Sequence, residues 1–427
     1  MSPSVPSDPY PEISWWGWGD PAQIPVLGAD VRQLLAGALG ITGAQDTALP
    51  TIDGVRIPVA RLSTDACRQL VAIVGAENAL ADDESRVRHT RGKSTPDLLR
   101  LRSGDASGAP DLVLLPASHE EVLELLALCT RLQVAVVPFG GGTSVVGGLE
   151  PCAERFAGVV ALDTRRMAAL LAFDEESRIA TLQPGLRGPQ AEALLAERGY
   201  TLGHHPQSFE YATLGGFAAA RSSGQASSGY GRFDQLVLAL QVATPVGTLS
   251  VGRAPASAAG PDLRQLILGS EGALGIITAL TLQVRPAPRA RAYEGWRFES
   301  FSDGVRALRT LAQDGPLPTI LRLSDEAETA LNLARLEEFA HSAREGGCLA
   351  IVGYEGSAEE VGTRRDAAKR VLEPAGARFD PDAGEAWERG RYTGPYLRDA
   401  LLAAGVLVET IETVSFWSAL PKVYERV

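Results

Sequence analysis

Three successive glycines at the end of an apolar run constrain this chain more than any other feature. Val134-Ala-Val-Val137 leads straight into Pro138-Phe139-Gly140-Gly141-Gly142-Thr143-Ser144, and Val145-Val-Gly-Gly-Leu-Glu-Pro151 follows. Glycine tolerates positive φ and carries no Cβ, so such a loop can turn its backbone N–H groups inward as an anion-binding nest. It has no Gly-Lys-Ser/Thr ending and is not a P-loop, and the order Gly140, Gly142, Val145 breaks the G-x-G-x-x-G pattern. Gly147, Gly148 and Pro151 discourage a helix directly after it. A phosphate cradle without a following helix points away from a Rossmann fold and toward another nucleotide-binding architecture.

The surrounding pattern supports that reading. Leu112-Val-Leu-Leu115 reads as a short buried strand, and Ser118 with Glu121 as a capping box ahead of a helix over Glu120–Leu132 whose stripe is Val122, Leu125, Leu126 and Cys129. This strand–helix–strand unit would deliver the glycine loop at the carboxyl end of a strand, where open α/β sheets bind ligands. Strands are expected at 158–162, 179–182, 237–242 and 276–284, paired antiparallel, with helices at 189–198 and 214–221. Upstream, Asp30–Leu39 and Ser63–Val74 carry apolar residues at helical spacing, and the Ser14-Trp-Trp-Gly-Trp-Gly19 run reads as a packing anchor. Arg285-Pro-Ala-Pro-Arg289 marks a boundary, giving segments 1–105 (helical lead-in), 106–288 and 289–427.

A chain of 427 residues can bury two cores. The net charge of −12 argues against a nucleic-acid partner. Cys67, Cys129, Cys152 and Cys348 lie far apart with no C-x-x-C pair, which suits a reducing compartment and disfavours a metal site. No apolar run is long enough to span a bilayer, and Met1–Asp8 is polar without an apolar h-region, so a cytoplasmic location is the default expectation.

Three more segments resemble ligand-facing loops. Gly203-His204-His205-Pro206 runs into Gln207-Ser208-Phe209-Glu210-Tyr211-Ala212-Thr213. A glycine- and alanine-faced helix start then leads to Ala220-Arg221-Ser222-Ser223. Gly269-Ser270-Glu271-Gly272-Ala273-Leu274-Gly275-Ile276-Ile277 opens the last strand. Singly, each is an ordinary turn. Together and in this order, with the Trp-Gly-Trp-Gly run, Arg88-His89-Thr90-Arg91-Gly92, Arg322-Leu-Ser-Asp325 and Pro395-Tyr-Leu-Arg398-Asp399, the chain resembles the flavoprotein superfamily of vanillyl-alcohol oxidase and para-cresol methylhydroxylase. Within it the resemblance is strongest to the alkylglycerone-phosphate synthase (alkyldihydroxyacetone-phosphate synthase) branch.

That resemblance implies an α+β architecture: a two-part FAD-binding domain of the PCMH type, then an incomplete α+β cap domain. It implies FAD with its pyrophosphate on Pro138, Phe139, Gly140, Gly141, Gly142, Thr143 and Ser144. Flanking contacts would come from Gln207–Thr213, from Ala220, Arg221, Ser222 and Ser223, and from Glu271, Gly272, Ala273, Leu274, Gly275, Ile276 and Ile277. Small residues suit the face of an isoalloxazine ring. The first loop lacks the histidine of covalently flavinylated relatives, so the FAD is expected to be non-covalent and no metal is expected. Arg322 and Arg398 are the implied substrate contacts, since a guanidinium grips phosphate or carboxylate bidentately; the competing assignment is structural ion pairs with Asp325 and Asp399. His204 and His205 read as solvated, His119 as exposed, and Arg91 and Lys93 as a solvated face; His89 and His341 carry no assignment.

Two chemistries fit. The first is exchange of the acyl chain of acyl-dihydroxyacetone phosphate for a fatty alcohol without net redox change, with a lipid-like substrate, peripheral membrane contact and a homodimer as corollaries. The second is an FAD-linked dehydrogenase or oxidase of a 2-hydroxy acid such as D-lactate or glycolate. A flavin-binding protein without catalysis is a third reading. In the resembled branch a catalytic tyrosine and a histidine run follow the point where this sequence stops, which reads as a missing end of the cap domain; the tail Leu420–Val427 reads as an amphipathic helix, and Tyr424 does not substitute for that tyrosine.

Overall fold

The computed structural model describes residues 10–40, 51–334 and 346–427; Met1–Asp8 and His341 lie outside them. Three main sheets follow one another along the chain. The first is ordered Ala79–Leu80, Leu112–Leu114, Gly158–Asp163, Val134–Phe139. Its last three strands are parallel, and the two-residue edge strand is antiparallel. The Gly158–Asp163 strand therefore departs from the expected antiparallel pairing. All six of its residues are buried, and a strand covered on both faces reads as a continuous apolar run, as Val159-Val160-Ala161-Leu162 does.

One face of this sheet carries the helix His119–Leu132, which buries Val122, Leu125, Leu126 and Cys129 against Leu112, Leu114, Val160 and Leu162. Ser118 Oγ accepts from the Glu121 amide at 3.2 Å, while the Glu121 carboxylate accepts from Ala117 N rather than from the cap residue itself. Outside lies the helix Thr64–Val74, capped by Ser63 and packed through Leu70 and Val74.

The second sheet is wholly antiparallel, in the order Leu170–Asp174, Ile179–Leu182, Ile276–Gln283, Val237–Thr244, Gly247–Val251. Its inner face packs on the helices Gly188–Ala196 and Leu214–Ala219. The third sheet, Ile320–Ser324, Cys348–Gly356, Ala290–Phe298, Arg378–Asp380, begins after the proline-rich boundary. It is backed by Phe301–Gln313 and Ala358–Leu372, whose Leu308, Leu311, Val361 and Leu372 meet Trp296, Phe298 and Tyr354. On its other face the helix Ala383–Gly390 sets Trp387 against Tyr293. No helix among the described residues is long and apolar enough to cross a membrane.

The tryptophan run acts as the expected anchor. Trp15 packs with Val87 and Leu101, and Trp18 joins Tyr211 and Tyr396. It ties the N-terminal turn to the helices Asp83–Arg88 and Thr95–Arg102, to the loop that carries Tyr211 and to the helix Gly394–Ala403.

Leu280 is fully buried in the central strand of the second sheet, which pairs on both sides. Leu280→Ala is expected to lower unfolding free energy by about 2–5 kcal/mol, read as a fall in the urea midpoint with an unchanged slope.

Candidate functional site

Four loops that are remote in sequence close on one another at the end of the strand Val134–Phe139. The glycine loop makes this closure physically feasible. A Cβ on Gly141 would clash with the Tyr211 carbonyl, and one on Gly140 with Thr213 Oγ1. Gly142 adopts φ +67°, and a Cβ there would lie 2.6 Å from the Phe139 ring. The loop is thus seated on the backbone of Tyr211–Thr213. On its other side a Cβ on Gly148 would meet the Glu271 carboxylate, and one on Gly272 (φ +86°) would sit 2.6 Å from Pro138. The Glu271 amide donates to Ala219 O at 3.1 Å and the Gly269 amide to Ala218 O at 3.1 Å, which bolts the last loop to the end of Leu214–Ala219.

The candidate residues divide into those presented by this rim and those consumed in building it. Ala220, Ser223, Glu271, Ala273 and Leu274 are exposed along it, Gln207 is exposed too, and Ile276 and Ile277 are buried in the strand behind. Ser144 Oγ is buried with no hydrogen-bond partner among the described residues. Tyr211 points its ring away, into Trp18 and toward the Tyr396 hydroxyl at 3.3 Å, leaving only its backbone to the rim. Arg221 is also committed: Nε donates to Leu268 O and Nη2 to Gln265 O, each at 2.8 Å.

The two arginines expected at one site lie in different surroundings. Arg322 lines a cleft of about 310 Å³ together with Ser223, Gln225 and Trp387, and its ion-pair partner is Glu328 rather than Asp325. Asp325 instead caps the following turn through the Glu328 amide at 2.7 Å. Arg398 donates to Lys93 O at 2.7 Å and lies 3.4 Å from Asp399, the structural pairing left open by the sequence. The Lys93 amide donates in turn to Ser144 O at 2.6 Å. Arg398 thus braces the glycine loop through one intervening residue.

Four expectations are corrected. Arg91 and Lys93 are 3% and 2% exposed, not a solvated face. Lys93 Nζ donates to Ser14 O at 2.6 Å and Trp15 O at 3.2 Å, and burial, opposed by Asp399 and reinforced by Arg398 and Arg88, pushes its pKa down to about 7. His204 is buried between Phe217 and Phe233 and contacts Ser222 Oγ at 3.0 Å, and desolvation lowers its pKa to about 3. His205, likewise lowered to about 3 by desolvation and by Arg391 and Arg291, contacts the Tyr392 hydroxyl at 3.3 Å. His119 is half-buried between Thr278 and Thr248. Local polarity suggested solvent in each case; only tertiary packing shows otherwise. His89, unassigned by sequence, bridges Asp163 and Ser85 O and packs on Phe139.

A rim of glycine amides with an unsatisfied buried hydroxyl suits phosphate, and its exposed small residues suit a flat ring. Comparison with known proteins agrees. Residues 110–252 match the family described as FAD binding domain, and residues 287–427 match the C-terminal domain of FAD linked oxidases. The chain is 33% identical to an alkyldihydroxyacetonephosphate synthase of Dictyostelium discoideum over 98% of its own length and 76% of that protein. Against the synthase of Trypanosoma brucei brucei the identity is 31%, over 100% and 77%. A solved alkyldihydroxyacetonephosphate synthase structure superposes with a TM-score of 0.87 at 33% identity, covering 98% of this chain and 84% of that one. A mitochondrial D-lactate dehydrogenase of Arabidopsis thaliana is more distant in extent, 33% identical over 54% of this chain and 40% of that protein.

Lys93 generates a pH signature. Its folded pKa of about 7 lies below the 10.5 of an ordinary lysine in water. Between these values the unfolded chain binds the extra proton, so this group's contribution to stability rises with pH across that window. Lys93→Met removes the titration. The stability of wild type relative to Lys93→Met is therefore expected to rise as pH goes from 7 toward 10, measured by urea unfolding of both proteins at each pH.

Proposed function

The chain belongs to the alkyldihydroxyacetonephosphate synthase family of FAD-linked enzymes, and on that premise we propose that it exchanges the acyl chain of an acyl-dihydroxyacetone phosphate for a fatty alcohol. The observation that carries this is the Arg322 cleft, which opens beside Ser223 on the flavin rim. FAD is the cofactor, and a small molecule is the substrate. In our reading the amides of Gly140–Ser144 and the Ser144 hydroxyl hold its pyrophosphate, the backbone of Gln207–Thr213 and the residues Ala220–Ser223 flank the ring, and Glu271–Ile277 close the rim. When bound, FAD supplies an electrophilic ring that can take electrons from carbon and return them within one turnover.

The chain's own residues supply binding and a defined protonation state. Arg322 is the residue we assign to the substrate phosphate; that dianion would compete with Glu328 for the guanidinium and accept two parallel N–H donors. His204, held neutral by burial, orients the Ser222 hydroxyl at the rim. In the overall reaction the fatty acid leaves with its carboxylate, the alcohol oxygen bonds to the carbon it vacated, and the alcohol proton is released. No external electron acceptor is consumed. Non-covalent FAD, peripheral contact with a membrane carrying the lipid-like substrate, assembly as a homodimer and a cytoplasmic location complete the proposal. Four free thiols support the last point.

The holoenzyme incubated anaerobically with acyl-dihydroxyacetone phosphate and hexadecanol is expected to yield an ether-linked product and one fatty acid per turnover, with the flavin oxidised at the end. No ether product, together with flavin bleaching by D-lactate or glycolate, would replace this reading with hydride abstraction from a 2-hydroxy acid. Gly141→Ala is expected to purify largely without flavin, seen as a lost 450 nm band, because its Cβ meets the Tyr211 backbone. Arg322→Lys is expected to raise KM for the phosphate ester on the order of tenfold while retaining full FAD content.

A further inference from the structure

The cleft that holds Arg322 has a second wall with unused binding capacity. Trp387 lines it from the helix Ala383–Gly390, and Arg391 lies directly behind Trp387 and Gln225. The Arg391 guanidinium stacks 4.7 Å from the Trp387 ring centroid and 5.3 Å from that of Tyr392. Its Nε donates to Gln225 Oε1 at 2.7 Å, and Gln225 Nε2 donates back to Arg391 O at 2.8 Å. Two donors in this small cluster are left over. Arg391 Nη2 and Trp387 Nε1 are both buried and have no hydrogen-bond partner among the described residues.

A buried donor without an acceptor is costly, and a charged one more so, so these two leave unmet demand for an acceptor in the Trp387–Arg391 cluster. The cleft's composition states the acceptor's charge. Its described lining is Ser, Gly, Gln, Ile, Leu, Trp and Arg, without a carboxylate. The acidic partner at its edge, Glu328, is already engaged by Arg322. Sandwiching between aromatic faces also fixes the Arg391 plane, so little side-chain freedom is lost when an anion arrives.

We propose that Arg391 and Trp387 form the second half of the anion subsite, taking the phosphate of the substrate together with Arg322. This rests on the acyl-exchange reading. The ligand class is a phosphate monoester of a small keto alcohol. Arg391 is a binding residue here, and Gln225 positions it. A purely structural role is the competing account, because the Gln225–Arg391 pair also bolts the flavin domain to the cap. It differs in outcome: loosening the bolt would weaken every ligand alike, whereas loss of a phosphate donor weakens only the charged one.

The test follows the flavin absorbance of purified holoenzyme titrated with dihydroxyacetone phosphate, with uncharged dihydroxyacetone, and with hexadecanol. For Arg391→Gln the phosphate ester should bind roughly ten- to a hundredfold more weakly, with FAD content and alcohol affinity unchanged. Arg391→Lys should recover part of that loss, and Trp387→Phe, which removes only the indole donor, should weaken the ester several-fold. Gln225→Ala, which keeps the guanidinium charge but removes the group that positions it, should weaken the ester less than Arg391→Gln does and leave alcohol affinity unchanged. Unchanged ester affinity in both Arg391→Gln and Trp387→Phe, or equal weakening of ester and alcohol, would overturn the subsite while leaving the acyl-exchange reading intact. Wild type that fails to bind the phosphate ester at all would overturn both.

Discussion

The architecture depends on one close approach, the glycine loop lying on the backbone of Tyr211 and Ala212. Peptide-on-peptide contact of this kind excludes side chains from one partner, and the triple glycine meets that requirement at the point of tightest packing. Fixing the loop there has consequences in both directions along the chain. Outward, Ser144 O receives the Lys93 amide, whose side chain reaches the carbonyls of Ser14 and Trp15, while Arg398 holds the Lys93 carbonyl. Inward, Gly148 and Gly272 let the Gly269–Gly275 loop close the rim. Asp399 sits at the centre of the outer cluster. It accepts from the Trp18 amide and lies within ion-pair distance of Arg102 and Arg398.

The same logic places the cap sheet. The segment Gly224–Tyr230 docks on it through Ser228 Oγ and the Gly229 amide, both donating to Thr319 O. Glu355 accepts from the hydroxyls of Tyr230 and Tyr293, one from each domain, at 2.7 and 2.5 Å. Burial and the adjacent Glu355 push both phenols up, so they remain neutral donors. A satisfied junction of this kind orients the third sheet so that Arg322 opens beside Ser223. The cleft is a product of the docking rather than of either domain alone.

Much of the flavin half was legible in the sequence because its requirements are local. Positive φ, missing Cβ atoms and the 3.6-residue stripe of His119–Leu132 each leave a mark within a few positions. The parallel strand Gly158–Asp163 also left one, an uninterrupted apolar run that the frequency of nearby turns outweighed. What could not be read was burial of charge. Lys93, Arg91 and His204 look polar and solvated in a window of ten residues, yet their partners lie at Ser14, Glu150 and Phe233. The pairing of Arg322 with Glu328 and the sandwich of Arg391 depend on sheet and helix packing that no spacing encodes. Motifs therefore anticipated the loops that close around the triple glycine, whereas the Arg322 cleft emerged only from tertiary structure.

The most direct measurement is a crystal structure of the protein purified with its flavin. The account requires pyrophosphate density within hydrogen-bond distance of the Gly140–Ser144 amides and the Ser144 hydroxyl, with the ring edge facing the cleft of Ser223 and Arg322. A flavin bound elsewhere, or a pyrophosphate held by side chains with the glycine amides turned away, would contradict it.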